Sequence, residues 1–288
     1  MPTVITKRGR EVAVVMPIDA LAVPRYGERG RSVTRCEGLD MKVAALIGAL
    51  ALLLLNAACA APSAHRGPRS SFNLFDNTHY TDVDLGLPKS NILYEQSPIA
   101  NSVKQGKAPD EQTFKQQVRE HNTAPGPFVM DFENLYLKGA DAEKHCELLI
   151  AMADWAHQAA PGKAIGYYGV LDNVDSQHMY LEKKLAPHED AYFPTMYTFN
   201  DDRAGWTSRL TRDVELAKQV DASKPMYPYV WPQYHEGTPN ALRFIDADYW
   251  TFQLNTLRKY ASRAVIWSST GPNTSTGWVQ ATKRFAES

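Results

Sequence analysis

Seven short apolar runs, the later ones separated by helical stretches, set the narrowest limits on what this chain can fold into. They read FNLF (Phe72–Phe75), NILY (Asn91–Tyr94), FVMDFE (Phe128–Glu133), AIGYY (Ala164–Tyr168), AYFPTMY (Ala191–Tyr197), MYPYVW (Met226–Trp231) and AVIW (Ala264–Trp267). The helical stretches carry i, i+4, i+7 stripes at Leu148/Met152/Trp155, Leu210/Val214/Ala217 and Trp250/Leu254/Leu257. Strands alternating with helices require a parallel sheet covered by those helices. About seven such units in one domain fit a somewhat reduced TIM-like (β/α) barrel of seven to eight strands. A Rossmann sheet fits less well, because its glycine fingerprint is missing. No internal repeat is visible.

Several chemistries lose their usual signatures. The eight histidines are scattered, with no HExxH and no pair of CxxC motifs, so a metal site has no support. There is no Walker loop and no GxSxG elbow, and the sequence calls for no cofactor. At the N-terminus, Met41-Lys42 leads into VAALIGALALLLLNAACAAPSA, an apolar core running into small residues, which is the layout of an export signal. The segment 41–60 is therefore expected to be removed, with the cut among Ala58 to Ala61 or just before Cys59, where a bacterial lipoprotein would carry its lipid anchor. Residues 1–40 read as basic and irregular, lying upstream of a true start at Met41. A polar linker over 61–71 then precedes the domain at 72–288. The expected product is exported, either soluble or lipid-anchored, and monomeric.

Past Ala61 only Cys146 remains, so no internal disulfide can form. Removing the 8 cations and 5 anions of the first sixty residues from the chain's 31 and 32 leaves a balance of −4. No bulk positive field is available to draw in nucleic acid.

The chemistry-bearing stretch is PFVMDFENLYL, where an apolar run carries into Asp131 and Glu133. Along a strand, side chains i and i+2 share a face about 7 Å apart, so both acids would enter a barrel mouth while Phe132 packs behind. Mutual repulsion raises the pKa of at least one and keeps it protonated near neutrality, as a general acid requires. The plainer alternative is a pair of rim carboxylates accepting hydrogen bonds. Tyr168, Tyr197, Tyr229, Trp231 and Trp267 stand at the ends of other strands, and aromatic rings beside paired acids describe a sugar-binding cleft.

These residues resemble the hyaluronidases, retaining glycoside hydrolases with a distorted (β/α) barrel. FNLFDN is similar to the family's F-N-x-x-W-N, VMDFEN to I-D-x-E, IGYYG to G-Y-Y, FPTMY to P-S-x-Y, YPYVWPQYH to P-Y-x-W-x-x-Y, and RAVIWSS to G-x-x-x-W-G-S-S, all in family order. The resemblance implies that Glu133 is the acid and then the base. Asp131 would orient the substrate's own acetamido group, whose carbonyl oxygen attacks the anomeric carbon. Tyr197 and Tyr168 would surround that acetamide, with Trp267 as the floor. Asp76 stands at the aromatic position of the first motif, Ser268 replaces a closing glycine, and the family's disulfide cysteines are missing. The implied substrate is a polysaccharide containing N-acetylhexosamine, either hyaluronan or a neutral glycan. Chitinase-like barrels use the same strategy, but their D-x-x-D-x-D-x-E strand would need acids at Gly126 and Val129. A surface lipoprotein that binds glycans without cutting them is the alternative from outside enzymology.

Overall fold

The computed structural model describes residues 3–7, 10–15, 72–95 and 98–288. The expected export signal, the cut site, Cys59 and the linker lie outside the described residues. Near the N-terminus, β1 (Thr3–Lys7) and β2 (Arg10–Val15) pair antiparallel, from Thr3↔Val15 to Lys7↔Arg10. The expectation of an irregular segment is corrected here: TVITK and REVAVV are rich in β-branched residues, which favour a pleated strand.

The second unit, Arg66–Ser288, follows the strand and helix alternation. Its strands are β3 (Asn73–Asn77), β4 (Asn91–Tyr94), β5 (Phe128–Asp131), β6 (Ile165–Tyr167), β7 (Tyr229–Val230) and β8 (Arg263–Trp267). Its helices are α1 (Ala100–Val103), α2 (Glu111–His121), α3 (Ala142–Ala159), α4 (Met179–Leu185), α5 (Arg203–Asp221), α6 (Ala247–Tyr260) and α7 (Gly277–Ala286). All three predicted stripes fall within helices, on α3, α5 and α6. Three helices begin where a carboxylate can accept an otherwise unpaired N–H: Asp110 from Thr113, Asp202 from Gly205 and Asp246 from Tyr249. None of the described helices is long and apolar enough to cross a membrane.

The strands form two parallel sheets, ordered β4-β5-β6 and β3-β8-β7. Single parallel bridges join Asp76 to Lys89, Tyr168 to Phe193, Tyr192 to Met226 and Thr195 to Tyr229. The predicted strands at 191–197 and 226–231 are much reduced, because Pro194 and Pro228 lack the N–H that a ladder needs. Their carbonyls still accept, from Tyr229 N and Val265 N respectively. The strand expected over Phe128–Glu133 ends at Asp131, and Glu133 lies in the turn beyond it.

Side-chain alternation positions the site. On β5, Phe128 and Met130 join the apolar layer beneath α2 and α3, while Val129 joins an inner cluster with Phe193, Tyr227, Tyr229 and Val265. Ile92 on β4 and Phe75 and Trp267 on the other sheet pack against the same inner cluster. Asp131, two residues beyond Val129, therefore continues its inward face. Gly166 on β6 backs onto the Ala191 carbonyl, and Gly126 onto that of Lys89, so a Cβ at either position would collide with backbone. An acid at position 126, as the chitinase pattern demands, has no room. Asp76, also buried, accepts from Lys89 Nζ at 2.7 Å and from Thr78 N and Oγ1. An ion pair thus occupies the position where the first-strand motif has an aromatic residue.

A second group of acids is buried away from the inner cluster. Glu189 Oε1 accepts from Tyr167 N, but Glu189 Oε2 and both oxygens of Glu182 have no partner among the described residues. Burial raises both groups above the ordinary carboxylate range; Asp172 adds to the shift on Glu182, and Glu182 to that on Glu189. The folded protein therefore holds protons that the unfolded chain releases above about pH 4.3. The contribution of these two groups to stability is full below that value and is lost as pH rises through their raised folded pKa values. Thermal unfolding should show Tm falling between pH 5 and 8, with a shallower fall in Glu182→Gln. Parallel profiles for the two proteins would contradict this.

Candidate functional site

One cavity of about 190 Å³ collects the residues singled out from the sequence. Asp131 and Glu133 line it, as do Tyr168, Tyr197, Tyr229, Trp231 and Trp267. Ile92, His235 and Glu236 complete the lining and were not foreseen. Apart from Ile92 and Tyr229, which lie within β4 and β7, the residues come from the C-terminal ends of strands or the segments beyond them, where side chains leave the ladder and can face a ligand.

The aromatic walls are mutually braced. Tyr197 lies nearly parallel to Trp267, with ring centroids 5.6 Å apart and planes 26° apart. Trp231 meets Trp267 edge-on at 5.0 Å and Tyr197 at 5.5 Å. Tyr168 meets Tyr229 edge-on at 5.2 Å. Such contacts leave few rotamers open, so the walls are set before a ligand arrives. The Tyr197 carbonyl accepts from Arg209 Nη2 on α5 at 2.7 Å, which holds the backbone of that wall.

The floor has its own support. Trp267 Nε1 donates to the Tyr94 hydroxyl at 2.8 Å, and His79 Nε2 lies 2.8 Å from the same oxygen. The His79 N–H donates to the Oγ of buried Ser268, the residue standing where the resembled motif has glycine. Burial pushes the Tyr94 phenol up to about 12, and the Asp131 charge adds to the shift. Tyr94 therefore stays a neutral hydroxyl that accepts from Trp267. Burial, followed by Lys89, holds His79 below its ordinary value, which keeps that ring neutral near pH 7.

The two acids differ. Asp131 is half-buried, its Oδ1 has no hydrogen-bond partner among the described residues, and it stands opposite Tyr94 in the β4–β5 register. Burial, then the Glu133 and Glu95 carboxylates, push it up to about 8. Glu133 is exposed. The raised group is thus Asp131, whereas the resemblance assigns the acid's part to Glu133. Burial leads and repulsion follows, whereas the sequence argument named repulsion alone. Glu95 is a third carboxylate that sequence reasoning passed over. It is held by Asn134 Nδ2 at 2.7 and 2.9 Å, and its N–H donates to the Asp131 carbonyl at 2.9 Å. A signal for it existed in the sequence: NILYE ends an apolar run in Tyr94 and an acid, much as VMDFE ends in its acids.

No family profile matches the sequence, and no curated protein sequence matches it. Solved structures do. A monoclinic crystal structure of bee venom hyaluronidase is similar at 16% identity and a TM-score of 0.51, over 75% of this chain and 96% of that one. Bee venom hyaluronidase in complex with a hyaluronic acid tetramer is similar at 16% identity and a TM-score of 0.53, over 69% of this chain and 91% of the other. At this identity the likeness is one of fold: the chain has an α/β fold similar to that of bee venom hyaluronidase.

Proposed function

We propose that this protein is a retaining glycoside hydrolase that cleaves glycans containing N-acetylhexosamine, with the substrate supplying its own nucleophile. The observation that carries the reading is the shared cavity of Asp131, Glu133, Tyr168, Tyr197 and Trp267. A fold like that of an enzyme whose crystal structure holds a hyaluronic acid tetramer supports it. Four of the parallel bridges, those of Asp76, Tyr168, Tyr192 and Thr195, support a closed barrel of seven strands in chain order, with the 192–195 segment between β6 and β7 and the Asp76–Lys89 bridge joining β3 to β4. Export through 41–60 belongs to the same proposal, since such glycans lie outside the cell.

In this mechanism Glu133 gives its proton to the glycosidic oxygen as the bond to the anomeric carbon breaks. The acetamido carbonyl oxygen attacks that carbon from the opposite face and closes a five-membered oxazolinium ring. Asp131, ionised once its proton has passed to Glu133, faces the acetamide N–H and stabilises the positive charge that develops there. Glu133 then takes a proton from water, whose oxygen opens the ring with net retention. Ordinary retaining enzymes place an acid and a nucleophile on either side of the bond, about 5 Å apart. Two acids from one strand end suit the substrate-assisted route, because no enzyme nucleophile is needed.

The test is to incubate purified protein with N-acetylhexosamine chains and count new reducing ends, with binding measured in parallel. Cleavage is expected; binding without new ends would instead favour a glycan-binding surface protein. The pH profile adds a prediction. Asp131 holds its proton below about pH 8 and loses it above, so above that pH the carboxylate pair has no proton to pass to Glu133 for the glycosidic oxygen. kcat/KM should therefore fall on an alkaline limb near pH 8, and Asp131→Asn should lack that limb along with most of the activity. A limb unchanged in Asp131→Asn would assign it to another group.

A further inference from the structure

We infer that the site takes an uncharged N-acetylhexosamine chain and discriminates against chains in which uronic acids alternate with the amino sugar. This rests on the hydrolase reading above and narrows its substrate. The argument is a charge inventory. Three of the ten residues lining the cavity are acids, Asp131, Glu133 and Glu236, and none is Lys or Arg. Glu95 adds a further carboxylate close enough to act on Asp131.

Lys89, Arg209 and Lys138 each have partners of their own. Lys89 pairs with buried Asp76. Arg209 donates to the Tyr197 carbonyl, with its guanidinium 4.7 Å from the centre of the Phe199 ring. Lys138 lies 4.6 Å above the Tyr136 ring and reaches Asn173 Oδ1. Among the described residues no Lys or Arg lines the cavity to receive a sugar carboxylate.

The cavity has room for about one sugar ring with its acetamido group. With an N-acetylhexosamine seated there, an alternating polyanion would place a uronate on the adjoining sugar at each side, next to Glu133, Glu236 or Glu95. Charges within a Debye length, about 8 Å at physiological salt, are poorly screened from one another. Uncompensated like charges act as a built-in rejection of the wrong substrate. A neutral chain meets only the aromatic faces of Tyr197, Trp231 and Trp267 and carboxylates that accept from its hydroxyls.

The experiment compares three substrates of equal length: a chito-oligosaccharide, a hyaluronan oligosaccharide, and the same hyaluronan after its carboxyl groups are reduced to alcohols. Cleavage is measured on the wild-type protein, and binding by calorimetry on Glu133→Gln. The neutral chains should be favoured over hyaluronan by at least about tenfold in kcat/KM. Carboxyl reduction should restore most of the loss, because linkage and shape are retained while the charge is removed. The gap should narrow with added salt and in Glu236→Gln, two readouts that a steric preference would not move. Hyaluronan cleaved or bound as well as its reduced form would overturn the inference, as would failure of either neutral chain to bind. If the neutral chains bind about tenfold more tightly and none of the three substrates is cleaved, the charge preference stands while the hydrolase reading falls.

Discussion

Replacing Glu133 by glutamine should lower hydrolysis of an N-acetylhexosamine chain by at least ~10²-fold while leaving binding of that chain nearly unchanged. The amide keeps the size and polar character of the side chain but has no proton it can transfer, and general acid catalysis typically supplies ~10²–10⁴-fold. Glu133 is exposed at the cavity lip, and the turn that carries it buries Phe132 behind, so the substitution opens no cavity in the core. The unfolding temperature should therefore match that of the wild type. The loss should fall on kcat more than on KM, since proton transfer is an interaction made only in the transition state. Full activity in Glu133→Gln would remove the acid from the mechanism.

Much of this site could be read from the sequence, for a specific reason. A strand has a period of two, so Asp131 follows Val129 on the face that packs into the inner aromatic cluster, whereas Glu133 reaches the cavity from the turn beyond β5, where strand spacing no longer applies. Tyr168, Tyr197, Trp231 and Trp267 were visible as aromatics at the ends of apolar runs. The span of the strands was less visible: Pro194 and Pro228 cut the ladders, and β5 stops two residues short of Glu133.

The second layer was not legible, because it depends on partners far apart in the chain. His79 and Tyr94 matter through a hydrogen bond to Trp267, which lies 173 positions beyond Tyr94. The raised pKa of Asp131 comes first from burial, which spacing alone cannot supply. Glu182 and Glu189 stand in no sequence pattern that marks them; their burial comes only with the packed fold.

The most direct test of the account exchanges the proposed nucleophile, which belongs to the substrate. Chains of N-acetylglucosamine and their de-N-acetylated counterparts share linkage and ring geometry, but the amine lacks the carbonyl oxygen that closes the oxazolinium ring. Losing a well-placed internal nucleophile removes an effective molarity that can reach about 10⁵ M or more, so turnover should stall. Binding of the deacetylated chain should persist or even strengthen, because a protonated amine is attracted to the Glu236 and Glu95 carboxylates, which Glu133→Gln retains. The measurement is single-turnover cleavage of both chains at saturating concentration, with affinities determined on Glu133→Gln. The account predicts rapid release of new reducing ends from the acetylated chain and at least a ~10³-fold slower rate from the deacetylated one at comparable affinity. Equal rates at comparable binding would contradict it, since the nucleophile would then come from the protein or from water.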